Sequence, residues 1–144
     1  MKQIYIIGFL FITSIFYAQN QSVLGKWKTI DDETGKAKAI IDIYEKSGKI
    51  YGKVVTIIEE EHKGDLCVNC SGEDKNKPIV GMVIIKGLSR EGNNEYGSGK
   101  ILDPKNGKIY KCFIQLEEKD KLKVRGYIGF SILGRTQFWY RVKS

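Results

Sequence analysis

The 144-residue chain holds a single histidine, His62, and only three cysteines. One imidazole gives a Ser–His–acid triad one possible base, and His62 lies in the charged run Glu59-Glu60-Glu61-His62-Lys63, which reads as a solvated loop. No serine stands in a Gly-x-Ser-x-Gly elbow. A glycine-rich phosphate loop and a dinucleotide fingerprint are absent too. Glu59 to Glu61 are neighbours on an exposed run, not carboxylates held in opposition, so they make no acid/base pair. Internal repeats and a second domain are missing, and no segment after residue 18 keeps helical periodicity. Hydrolase and oxidoreductase chemistry therefore lack their parts. No catalytic residue, resident metal or cofactor is expected.

What the chain does have starts at its first residues. "MKQIYIIGFLFITSIFYA" places Lys2 before an apolar core from Ile4 to Phe16, and Ala18 before the polar Gln19-Asn20-Gln21-Ser22. That core is shorter than the ~20 residues that span a bilayer. The pattern predicts a signal peptide over 1–18 and a single domain over 19–144, located extracytoplasmically, either periplasmic or secreted. No cysteine sits at the cut, so a lipoprotein anchor is not indicated. The formal charge is +7, and loss of Lys2 leaves +6. The lysines are spread along nearly every segment, a pattern that serves solubility and allows at most peripheral contact with an anionic envelope surface. An exported chain without an aromatic-basic motif has no evident nucleic-acid partner.

Runs of β-branched and aromatic residues recur about every 12–15 residues, each closed by a turn signal, as in an all-β sandwich or barrel. Eight strands are predicted at 24–30, 37–45, 49–59, 79–87, 95–102, 108–117, 121–128 and 135–142. Ser47-Gly48, Thr34-Gly35, Gly92-Asn93 and Asn106-Gly107 supply residues that tolerate positive φ, and Pro104 sets the entry to the hairpin "DPKNGK". Tyr110, Cys112, Ile114 and Leu116 share one face of their strand. Leu122, Val124, Gly126 and Ile128 likewise oppose Lys121, Lys123, Arg125 and Tyr127. Eight sequential strands with short connections are most simply a monomeric up-and-down antiparallel barrel, with a sandwich as the alternative. The one long insertion, residues 60–78, is polar and charged.

These residues resemble the bacterial exported family called domain of unknown function 2147. The likeness runs through Gly25-Lys26-Trp27, Gly48-Lys49-Ile50-Tyr51-Gly52, Cys67 and Cys70, and Lys77-Pro78-Ile79-Val80-Gly81. It continues in Ile101-Leu102-Asp103-Pro104, Asn106-Gly107-Lys108-Ile109-Tyr110, Leu122 to Gly129, and Gly134 to Arg141. The family carries no assigned activity. Gly25-x-Trp27 in the first strand and Arg141 in the last also resemble the lipocalin-type (calycin) barrels. The likeness implies that Trp27 plugs one barrel end and Arg141 packs across it, with Arg135 as the alternative partner. A guanidinium over an indole contributes ~0.5–2 kcal/mol.

The stretch "DLCVNCSG" has three readings. A thiol–disulfide enzyme would open a helix with its Cys-x-x-Cys, whereas Cys67 and Cys70 fall in a loop of an all-β pattern. A zinc site needs four ligands, and Cys67, Cys70, Cys112 and His62 make four, although Cys112 sits mid-strand. In an oxidising compartment the expectation is a local Cys67–Cys70 disulfide. Cys112 is then a buried free thiol behaving as a small apolar residue. A bridge from Cys112 to either partner is the alternative.

Three functions are carried forward. In the first, a non-catalytic barrel binds a small apolar or amphipathic molecule, and Arg125, Tyr127, Arg135, Gln137 and Trp139 orient its head group. Strand parity slightly favours an outward, snorkelling face for these five. In the second, a structural or interaction protein of the envelope has its barrel filled by its own side chains. The third is an isomerase or hydrolase on a small barrel. Cavity volume separates the first two.

Overall fold

The computed structural model describes residues 21–130 and 133–143, so the expected signal peptide and its cut lie outside the described residues. The strands are β1 (Gly25–Ile30), β2 (Ala37–Lys46), β3 (Lys49–Ile57), β4 (Val83–Gly92), β5 (Glu95–Asp103), β6 (Lys108–Glu118), β7 (Lys121–Tyr127) and β8 (Gly134–Arg141). Each pairs antiparallel with the next, and β1 pairs with β8 to close the barrel. The sandwich alternative is thereby set aside.

Seven of the eight strands fall within two residues of the expected bounds. The exception is β4, expected over 79–87. Residues 79–82 instead form a tight turn, with Met82 N–H donating to the Ile79 carbonyl at 3.1 Å and Gly81 at φ +92°. The strand recovers this length at its other end by running on to Gly92, and the positive φ of the following turn falls on Asn94.

Period-two alternation fills the inside. Ile41 and Ile43, Ile50 and Val54, Cys112 and Ile114, and Leu122 and Val124 are buried. Among the described residues no polar or charged side chain is buried. The inner face thus carries the hydrophobic stabilisation, ~25 cal/mol per Å² of apolar surface withdrawn from water.

An up-and-down barrel puts alternate turns at opposite poles. At one pole lie the β2–β3, β4–β5 and β6–β7 turns and both ends of the described chain. Trp27 fills this pole, fully buried, its indole N–H donating to the Val23 carbonyl at 2.8 Å. The Arg141 guanidinium lies 4.3 Å from the indole centroid. It donates to the carbonyls of Lys119 (2.9 Å), Leu24 (2.9 Å) and Ser22 (2.7 Å). Glycine is required at Gly25, which has φ +118° and whose added Cβ would meet an Arg141 nitrogen at 3.2 Å. Gly25-x-Trp27 is therefore a packing unit: the glycine clears the space into which the arginine reaches. Arg135 lies at the other pole and takes no part.

Trp27→Ala is expected to cost ~3–5 kcal/mol in denaturant unfolding, because it empties the pole. Arg141→Ala should cost less, about 1.5–3 kcal/mol, the range for charge-assisted hydrogen bonds. The double variant should lose less than the sum of the singles. Strict additivity would show that closure does not run through this pair.

Candidate functional site

The lower half of the barrel is filled by Trp27, Ile43, Ile50, Ile85, Leu88, Cys112, Ile114 and Leu122, all buried. The upper half is hollow. A cavity of about 630 Å³ opens there, its floor and walls including Ile41, Val54, Ile57, Leu102, Val124 and Trp139. Four connections surround its mouth: the β1–β2 turn, the insertion between β3 and β4, the β5–β6 turn and the β7–β8 turn. Ile128 and Leu133, largely exposed, continue the apolar wall outward as a lip.

The five head-group candidates divide. Register pairs Leu122 with Trp139, Val124 with Gln137 and Gly126 with Arg135, so the β8 residues share the inward face of β7. Arg135, Gln137 and Trp139 line the cavity. Arg125 and Tyr127 have the opposite parity and point outward, where the Arg125 guanidinium donates to Thr136 Oγ1 at 2.8 Å. They do not line the cavity; of the five, Arg135, Gln137 and Trp139 do.

Those three belong to one polar line descending β8. The buried Trp139 indole N–H donates to Gln137 Oε1 at 3.3 Å, and Gln137 Nε2 donates to Asp32 Oδ2 at 3.1 Å. Asp32 also forms an ion pair with Arg135. Asp32 went unnoticed in the sequence, where "DDETG" reads only as a turn. The signal was in the topology: alternate turns of a meander meet at one pole, so residue 32 and residue 137 become neighbours. Asp31, beside it, accepts amide N–H bonds from Glu33 (2.7 Å) and Thr34 (3.2 Å). Those bonds, with Lys38 and Lys105 adding to them, hold its carboxyl below the usual range.

The insertion flanks the mouth and is clipped by a Cys67–Cys70 disulfide, both residues buried. The disulfide consumes two of the four ligands in the Cys67, Cys70, Cys112 and His62 zinc set, and Cys112 lies inside the barrel wall, so that set is not assembled. It also rules out a bridge from Cys112 to either partner. Glu59, Glu61 and His62 do converge, but on exposed and half-exposed positions where acidic groups commonly gather without an ion. His62 Nδ1 lies 2.9 Å from Asp65 and Nε2 3.5 Å from Glu59, within the mouth's lining.

The clip docks on the β5–β6 turn. Asn69 Nδ2 donates to the Lys105 carbonyl at 3.0 Å, and a Cβ at Gly107 (φ +71°) would fall 1.8 Å from the Asn69 carbonyl oxygen. Gly107 is thus required twice, by conformation and by the closeness of the clip. Outside the wall, between Tyr44, Tyr51 and the insertion, lies a second hollow of about 560 Å³ whose lining includes Lys46, Lys77 and Lys86.

A family model described as an uncharacterised protein conserved in bacteria (DUF2147) matches residues 25–141. Among solved structures the chain is similar to protein HP1028 from the human pathogen Helicobacter pylori, described as belonging to the lipocalin family. The two share 19% identity and a TM-score of 0.76, over 85% of this chain and 84% of that one. At that identity the likeness establishes the fold. No curated protein matches the chain.

Gly107→Ala should destabilise more than Gly48→Ala. Both meet left-handed strain of about 1–2 kcal/mol, but only Gly107 also meets the clip, since nothing lies within 4 Å of a Cβ at Gly48. Trypsin should cut the Gly107→Ala insertion faster; equal costs and equal cleavage would detach the clip from the turn. Separately, burial pushes the Cys112 thiol from 9.0 up to about 12. The native protein should therefore resist iodoacetamide at pH 8 and react once unfolded. Above pH 9 the unfolded chain ionises this thiol and the folded one does not, so stability should fall as pH rises toward 12.

Proposed function

The chain belongs to this uncharacterised bacterial family, domain of unknown function 2147, and we propose that the protein is an extracytoplasmic, non-catalytic carrier that holds one small apolar or amphipathic molecule in its barrel. The observation that carries this reading is the half-filled interior. A cavity of about 630 Å³ lies within the ~300–1,000 Å³ usual for small-molecule sites. Its walls are apolar and its polar groups gather at one rim, the arrangement that suits an apolar body with a solvated head. An eight-strand barrel is just wide enough for one such ligand. The extracytoplasmic location rests on the 1–18 pattern and agrees with the Cys67–Cys70 disulfide. A purely structural role would need no hollow, and a barrel packed to its mouth would be more stable for it.

Protein recovered from the extracytoplasmic fraction of its own host should begin at or near Gln19 and carry a non-covalent adduct in native mass spectrometry. Gly126→Phe should keep the β spectrum and lose the adduct. A Cβ at Gly126 meets Ile101 and Tyr110 only at ordinary contact distances of 3.4–3.5 Å, and the ring beyond it would occupy the cavity. Adduct-free wild-type protein that takes up no added amphiphile would sink the carrier reading.

A further inference from the structure

We propose that the mouth of this barrel selects ligands with a cationic head group: an amphiphile of apolar body and ammonium-type head. The inference rests on the carrier reading and adds the class of head group to it. The chain as a whole carries +7, yet the rim of its cavity has the opposite sign. Asp31, Asp32, Glu33, Glu59, Asp65 and Asp103 line it against three permanent cations, Lys38, Lys105 and Arg135. The rim therefore has a net excess of three negative charges on a protein whose surface is otherwise basic.

The guanidinium at the rim is already engaged. Arg135, which would be the natural counter-ion for a carboxylate or sulfate head, is held by Asp32. Asp32 is held in turn by Gln137. Lys38 and Lys105 act on Asp31. An anionic head placed at this rim would meet an excess of carboxylates in a cleft whose apolar walls focus the field. A cationic head would meet the reverse. Independently of charge, the ring of Tyr110 lies in the cavity wall beside the β5–β6 turn, and aromatic faces attract cations through their quadrupole. The lip of Ile128 and Leu133 gives the apolar chain a continuous path past the charged groups.

The test is isothermal calorimetry on the mature wild-type protein with three twelve-carbon amphiphiles, each below its micelle concentration: dodecyltrimethylammonium, dodecyl sulfate and the uncharged dodecyl maltoside. The cation should bind at least ~10-fold tighter than the anion, and the ratio should shrink as salt is added. Glu33→Gln combined with Glu59→Gln, both at the rim and away from the core, should narrow the cation-to-anion ratio severalfold. Binding of the neutral amphiphile with the anion equal to or tighter than the cation would overturn the head-group inference and leave the carrier reading standing. Binding of none of the three would overturn both.

Discussion

Everything in this molecule depends on a short seam. Strands β1 and β8 are registered through only two residue pairs, Trp27 with Arg141 and Lys28 with Tyr140, where most neighbouring strands share five to eight. Beside those pairs and one backbone bond, from the Val142 N–H to the Lys26 carbonyl at 2.9 Å, closure is left to side chains. Arg141 supplies it by lying over the Trp27 indole and donating to three backbone carbonyls drawn from the β6–β7 turn and from the approach to β1. Once the seam holds, no strand has a free edge, and the wall around the core can be apolar without leaving backbone groups unpaired.

The closed wall is then used unevenly. Below, large side chains meet at the axis and supply the close packing that stabilises the fold. Above, the inward groups, with Gly126 among them, leave the hollow. The contacts forgone there weaken the upper half, and two devices brace it: the ion pair and hydrogen bonds around Asp32, and the disulfide clip seated on the β5–β6 turn. Structure and capacity are thus separated along one axis. The plug end carries stability, and the open end carries the hollow and its polar rim.

Strand order was legible in the sequence because alternation and turn residues are local signals. Leu122, Val124 and Gly126 could be set opposite Lys123 and Arg125 by period two alone, and the disulfide followed from spacing and compartment. The hollow was not legible, since it depends on which inward side chains meet across eight strands. The head-group set divided for the same reason. Parity within β7 or within β8 is readable, but whether Arg125 and Gln137 share a face depends on the register between the strands, which pairs Gln137 with Val124. Asp32 was invisible because its partners, Arg135 and Gln137, are more than a hundred residues away along the chain. The displaced start of β4 had a local cause that spacing could not locate, the left-handed Gly81 within "IVGM".

The order of the strands has a consequence in time. Seven of the eight pairings join consecutive strands, and six of those form across short turns. The eighth, β1 with β8, must bring together the two ends of the sheet, at the loop-closure cost of the whole domain. A nascent chain can thus assemble most of its sheet and still lack a barrel, since β8 is the last strand made. Until it arrives, β1 and β7 are open edges flanking an apolar face, the state most prone to pair with another chain. Arg141, at the far end of β8, is among the last residues to reach its place. The residue that holds the seam therefore also ends the interval in which the sheet is exposed.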